Sequence, residues 1–258
     1  MERHRATMHF LVTNDDGIDA PGIQALADLL AQWGSVTVVA PSGPWSGCSH
    51  QVTVDRAVQV HQRESNRFAV DGTPADCVRI GLHSLARDAD WTIAGINDGG
   101  NLGVDIFHSG TVAAAREAAL LGSPAVAISQ YRAAGVPTDW MLAQQRAQFV
   151  LRDLIRQPIT EPGLWNVNLP STAISKDRLA GDSPDAGSQF GPTDPLPISP
   201  GVAVEQCPVD FSQLPVAYQQ EGLSFRYCGS YHHRLRRQGG DVDVCFSGRI
   251  SVSWIRLA

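Results

Sequence analysis

The chain has 258 residues, of which 43% are hydrophobic and 18% charged, with a formal net charge of -6. Such a composition is ordinary for a globular protein with a sizeable core. The negative balance argues against a nucleic-acid polymer as partner, because phosphate backbones demand excess Lys and Arg, while small phosphorylated ligands stay open. Five widely spaced cysteines, Cys48, Cys77, Cys207, Cys228 and Cys245, include no Cys-x-x-Cys pair, so neither a zinc ribbon nor a disulfide framework is signalled. No apolar run reaches membrane-spanning length, and the charged start at Met1 is too short before the first strand for a signal peptide. A cytoplasmic location without membrane contact is therefore expected.

His9 to Thr13 is rich in β-branched and aromatic side chains, and predicts a buried strand that stops at Asn14-Asp15-Asp16-Gly17. Ala20-Pro21-Gly22 opens a helix, with Ile23, Leu26, Leu29 and Leu30 at helical spacing. Val36 to Ala40 is a continuous apolar run, as in a strand buried on both faces. Strand, helix and strand in this order make a parallel unit, so the loop from Pro41 to Gly47 shares a sheet edge with Asp15 and Asp16.

Alternation at Val52 and Val54, Val58 and Val60, and Phe68 and Val70 predicts short strands or hairpins. Thr73-Pro74-Ala75-Asp76 reads as a cap, a proline at the first helical position and an acid at the third, with the helix running on to Leu85. Trp91 to Ile96 is a further strand, ending at Asn97. A glycine- and asparagine-rich loop follows it, and the chain enters a helix after Ser109-Gly110-Thr111. Ala125 to Ser129 predicts a strand, Trp140 to Ile155 an amphipathic helix, and Trp165 to Leu169 the end of the regular alternation. From 170 to 201, Pro, Ser, Asp and Gly dominate without period, marking a long irregular connection. Strand-like pieces follow at Val202–Val204, Leu223–Tyr227 and Ile250–Ile255. Arg234, Arg236 and Arg237, beside His232 and His233, are expected on a solvated face. The fold class expected is α/β: a Rossmann-like, three-layer body with a parallel sheet over 1–169, and an irregular, β-containing part over 170–258.

Ligands of open α/β sheets bind at the carboxyl ends of strands. Three loops there offer Asp15 and Asp16, Ser46, and Asn97 with Asn101, all oxygen donors. Two carboxylates with neutral oxygens suit Mg²⁺ or Mn²⁺ better than zinc. Ser109-Gly110-Thr111, at a helix start, offers free N–H groups, hydroxyls and the positive end of the helix dipole to an anion. A divalent cation beside an anion cradle suits phosphoryl chemistry. Each part alone has a plainer use, as turn, loop or helix cap. Gly-x-Gly-x-x-Gly after the first strand, a P-loop and a Gly-x-Ser-x-Gly elbow are all absent. The adjacent carboxylates are not the Asp-x-Asp of phosphatases that form an aspartyl-phosphate, which favours attack by a metal-activated water.

Val12-Thr13-Asn14-Asp15-Asp16-Gly17-Ile18 with Ala20-Pro21-Gly22-Ile23 resembles the N-terminal signature of the SurE (survival protein E) nucleotidases. The likeness continues at Val38–Pro41, Ser46-Gly47, Gly72–Val78, Gly95–Asn97, Asn101–Gly103, Ser109–Val112, Ala114–Glu117 and Asn166–Pro170. The resemblance implies a metal-dependent phosphomonoesterase acting on nucleoside 5′- and 3′-monophosphates, dimeric or tetrameric, with one Mg²⁺ or Mn²⁺ per subunit. It implies Asp15, Asp16, Ser46 and Asn97 as metal ligands. Asn101, Ser109, Gly110 and Thr111 would hold the phosphate, and Asp15, Asp16 and Asn101 would be the catalytic residues. Ser42 to Trp45 departs from the family's acidic and basic pattern. His108 stands where tyrosine is common, and a packing role is expected for it. The Gly240–Asp243 block resembles the family's late acidic block. The rival readings are a non-catalytic nucleotide- or phosphate-binding protein and, more remotely, a metal-dependent glycosyltransferase.

Overall fold

A computed structural model describes residues 7–171, 201–229 and 231–257. Among these residues nine strands form one sheet in the order β3-β4-β2-β1-β5-β6-β7-β11-β8. At its centre lie β1 (Met8–Thr13), β2 (Gly34–Pro41), β5 (Trp91–Asp98), β6 (Ala125–Gln130) and β7 (Gly163–Leu169), each parallel to its neighbour. The expected α/β class with a mostly parallel sheet is what the chain adopts. β1 turns Phe10 and Val12 to one face and Leu11 to the other, the period-2 alternation of a strand buried twice. On the first face, α1 (Pro21–Leu30) and α4 (Trp140–Leu154) cover Phe10, Val12, Ile93, Val126 and Val167. On the other, α2 (Pro74–Ile80) and α3 (Gly110–Leu120) cover Leu11, Val39, Ala94 and Ala127. Three layers result.

Local sequence explains the helix starts. Pro21 occupies the first turn of α1. Thr73 and Asp76 form a reciprocal capping box at α2, which passes into a wider turn over Gly81–Leu85. β3 (Val60–Glu64) and β4 (Arg67–Val70) make the one hairpin of the 51–70 stretch, and β4 runs parallel to β2. Val52 and Val54 are not in a strand. Residues 51–54 are instead pinned side-on, with Asp76 accepting from the Thr53 N–H at 2.9 Å and its hydroxyl at 2.6 Å.

Beyond residue 169 the sheet continues. β11 (Ile250–Arg256) pairs antiparallel with β7, and β8 (Val204–Gln206) lies parallel to β11. Val252 and Ile250 thereby enter the main core. β9 (Tyr218–Glu221) and β10 (Ser224–Tyr227) form a separate exposed hairpin. The Gly240–Asp243 block starts a short helix, α5 (Asp241–Phe246). The irregular connection expected over 170–201 falls at 172–200 outside the described residues.

Candidate active site

β1 sits where the chain leaves toward β2 on one side and β5 on the other, so the crevice for ligands opens at their carboxyl ends. Asn14 spans the turn after β1, donating its side-chain amide to the Gly17 carbonyl at 2.9 Å. The turn is tied to the next loop, since the Ile18 N–H donates to Pro41 and the Trp45 N–H donates to the Asp15 carbonyl at 2.7 Å. Ser46, exposed, follows Trp45 directly. The main chain of the Ser42–Trp45 departure is therefore tied to the acidic turn one residue before Ser46.

Asp15 is buried, at 6% exposure. Its Oδ1 accepts from the Thr111 hydroxyl at the start of α3. Burial pushes the Asp15 carboxyl up to about 6; the Thr111 hydrogen bond opposes the rise and the Asp16 charge adds to it. Burial also raises Asp16, whose Oδ2 accepts from the Asp98 N–H at 3.0 Å. That bond places Asp16 against the end of β5, where Asn97 donates its side-chain amide to the Gly99 carbonyl at 2.7 Å. Among the described residues neither Asp15 nor Asp16 makes an ion pair with Lys, Arg or His within 4.0 Å. Two close, desolvated carboxylates without a direct cationic partner are the situation that a bound divalent cation relieves.

The start of α3, the candidate anion cradle, meets this acid pair at Gly110. A Cβ built there would lie 2.7 Å from the Asp15 Cβ, 2.9 Å from its Oδ2 and 2.9 Å from the Cys48 sulfur. Only glycine lets the helix start approach so closely. Ser109 caps α3, its hydroxyl oxygen accepting from the Val112 N–H at 3.0 Å, and its own O–H stays available to donate.

This fold and edge geometry have known counterparts. The profile described as "Survival protein SurE" matches residues 10–182. The chain belongs to the SurE family. A Synechocystis protein called "Putative 5'-nucleotidase alr3139" is 45% identical over 250 residues, 97% of this chain and 100% of its own length. The 5'-nucleotidase SurE of Pelobacter propionicus is 46% identical over 175 residues, 66% of this chain and 69% of its own. The crystal structure of the SurE protein from Aquifex aeolicus matches with a TM-score of 0.77 at 26% identity, covering 97% of this chain and 94% of that one.

Within this SurE-family site, Asp15, Gly110 and Thr111 are in direct contact, Ser109 adjoins them, and Asp16 lies beside Asn97. Asn101 sits deeper, at 8% exposure, its side-chain amide donated to the Ser129 hydroxyl at 2.8 Å. Its main chain is gripped by β7: Asn168 accepts its N–H at 2.8 Å, while Asn166 and Asn168 both donate to its carbonyl. Sequence reasoning did not assign that role to Asn166 and Asn168. Two amides spaced by two in a fully buried strand are the signal for it, because a buried amide requires a partner. Cys48 was also missed. It adjoins Asp15 and Gly110, and burial plus the Asp15 charge pushes its thiol up to about 11, so it stays protonated near neutral pH. His108 is exposed rather than packed in the core. Among the described residues no three of His, Cys, Asp and Glu cluster as a metal site, so a cation here must draw on neutral oxygens besides Asp15 and Asp16.

Proposed function

We propose that this chain is a 5′-nucleotidase, a phosphomonoesterase that uses Mg²⁺ or Mn²⁺ on nucleoside 5′- and 3′-monophosphates. The observation that carries the reading is the contact of Asp15 with Gly110 and Thr111, which joins the acid pair and the helix N-terminus into one site.

The oxygen donors fit a hard divalent cation: Asp15 and Asp16 supply charge, and Ser46 and Asn97 supply neutral oxygens. Such a cation, when bound, polarises a phosphoryl oxygen and lowers the pKa of water toward neutrality. Thr111 orients the Asp15 carboxylate by donating its hydroxyl, leaving Ser109 and the Gly110 N–H to face the phosphoryl oxygens. Asp15, held from two sides, is the group placed to orient the attacking water. Asn101, its amide engaged by Ser129, serves the phosphate side by holding the loop.

Phosphate release from 5′- and 3′-monophosphates, with Mg²⁺, Mn²⁺ or EDTA, tests the reading. Release that depends on added metal and disappears in Asp15→Asn is expected. No release from any nucleotide with either metal would leave the phosphate-binding alternative in its place.

A further inference from the structure

Asp241 is fully buried and lies far from the acidic turn in sequence, yet its carboxylate accepts three main-chain N–H groups. Oδ2 accepts from Gly103 at 2.8 Å, while Oδ1 accepts from Asp210 at 2.8 Å and from Val242 at 2.9 Å. Gly103 opens the 3₁₀ turn Gly103–Phe107, which leads directly to Ser109. The approach is close: a Cβ at Gly103 would lie 2.6 Å from the Asp210 carbonyl oxygen.

Arg234 reaches the same turn. Its guanidinium, buried rather than solvated as expected, pairs with the Asp105 carboxylate and lies 5.1 Å from the Tyr231 ring centre. Tyr231 in turn donates its hydroxyl to the Gly100 carbonyl at 3.2 Å. Asp105 links this grip to the cradle, because its carbonyl accepts the N–H of His108 at 2.9 Å and of Ser109 at 3.0 Å. One chain of bonds, Arg234 to Asp105 to the Ser109 N–H, therefore runs from the C-terminal segment to the residue that caps α3, while Asp241 and Tyr231 grip the same loop at Gly103 and Gly100. β7 holds the same loop from its other side through Asn101.

We infer that Asp241 and Arg234 are positioning residues, through which the C-terminal segment sets the 100–109 loop so that Ser109 and Gly110 meet the phosphate. The inference rests on the nucleotidase reading for its substrate. The acid pair, by contrast, is held by Asn14, Trp45, Thr111 and the Asp98 N–H, none of which bonds Asp241, Arg234 or Tyr231. Phosphate binding and metal binding should consequently separate when the network is cut.

The test compares Asp241→Asn, Arg234→Gln, Arg234→Lys and Tyr231→Phe with the wild-type chain. Asp241→Asn places an amide N–H against an N–H donor while conserving shape. Three quantities are read: kcat and KM for a nucleoside 5′-monophosphate, the affinity for inorganic phosphate, and the affinity for Mn²⁺ alone. Expected for Asp241→Asn and Arg234→Gln is a loss of about tenfold or more in kcat and in phosphate affinity, with Mn²⁺ affinity within about threefold of wild type. Arg234→Lys, which keeps the charge, should recover part of the loss, and Tyr231→Phe should lose least. Should Asp241→Asn fail to fold, the Arg234 and Tyr231 variants decide. Folded variants with lowered melting temperature but unchanged kcat and phosphate affinity would overturn the inference, as would equal losses of Mn²⁺ and phosphate. If the wild-type chain hydrolyses no nucleotide, the nucleotidase reading fails by itself, and the phosphate and Mn²⁺ affinities still judge the positioning role.

Discussion

The acidic turn after β1 and the glycine-rich loop after β5 face the same crevice, but they are held in different ways. The turn is short and mostly self-supporting: Asn14 bonds Gly17 within it, and single bonds from Ile18 and Trp45 join it to the end of β2. The loop folds locally only into the 3₁₀ turn Gly103–Phe107 and the Asn97–Gly99 bond, and is otherwise held by residues from β6, β7 and the C-terminal segment, among them Ser129, Asn166, Asn168, Arg234 and Asp241. The turn also concentrates electrostatic cost, with two desolvated carboxylates side by side, whereas the carboxylates of the loop, Asp98 and Asp105, are each paired with an arginine. Charge is thus supplied locally and geometry from a distance. A chemistry that needs both must join the two where α3 begins.

The largest expected effect is at Asp15. Asp15→Asn should lower metal-dependent kcat/KM by on the order of a thousandfold. It removes a buried charge, so the metal-free melting temperature should hold or rise, while the melting-temperature gain on adding Mn²⁺ should vanish. A metal-free protein that unfolds at markedly lower temperature would show that the turn needs Asp15 for structure, and the contrast with the loop would fail.

Gly110→Ala attacks the junction of the two regions. The added methyl would press on Asp15 and Cys48 at 2.7–2.9 Å. That overpacking costs about 1–3 kcal/mol, more than the helix propensity of alanine returns, so stability should fall by about that amount and activity about a hundredfold. Kinetics beside a melting curve separate the two.

Asn168→Leu tests the remote support of the loop. It removes an acceptor and a donor from the Asn101 main chain. The carbonyl keeps Asn166 while the buried N–H is left unpaired, which should cost about 1–3 kcal/mol in a denaturant titration and lower kcat about tenfold. A loss of stability with full kcat would mean that the loop keeps its shape without β7.

The smallest effect is expected at Arg132, an exposed side chain bonded to Asp98 at 3.0 Å beside Asp16. Arg132→Ala should change stability by less than about 0.5 kcal/mol and Mn²⁺ affinity only a few-fold, because such surface pairs are well screened. A drop as large as that of Asp15→Asn would place Arg132 inside the site rather than at its rim.

Most of the parallel body was legible along the chain, because β1, β2, β5 and β6 announce themselves as short apolar runs and α2 by its Thr73-Pro74 cap. The strand expected at Val52 and Val54 was not formed: alternation alone did not weigh the Asp76 side chain, which captures Thr53 instead. Arg234 misled for a similar reason. A basic cluster reads as solvated until a carboxylate 129 positions away, Asp105, is placed against one member of it. Among the candidate site residues, Asp15, Asp16 and Ser109-Gly110-Thr111 stood out because each is a contiguous motif at the end of a predictable element. Asn166 and Asn168 were visible as residues but not as supports, since their partner Asn101 comes from another strand's loop.

The sequence by itself determined the apolar periods, the helix caps and the placing of carboxylates and a helix start at strand ends, all of which act over a few residues. Only the tertiary structure decided that Gly110 touches Asp15, that β8 and β11 extend the same sheet, and that Asp241 and Arg234 hold the loop before Ser109. The reason is physical: those contacts pair buried groups far apart in the chain. Their energies come from desolvation and hydrogen bonding that exist only once the core has closed.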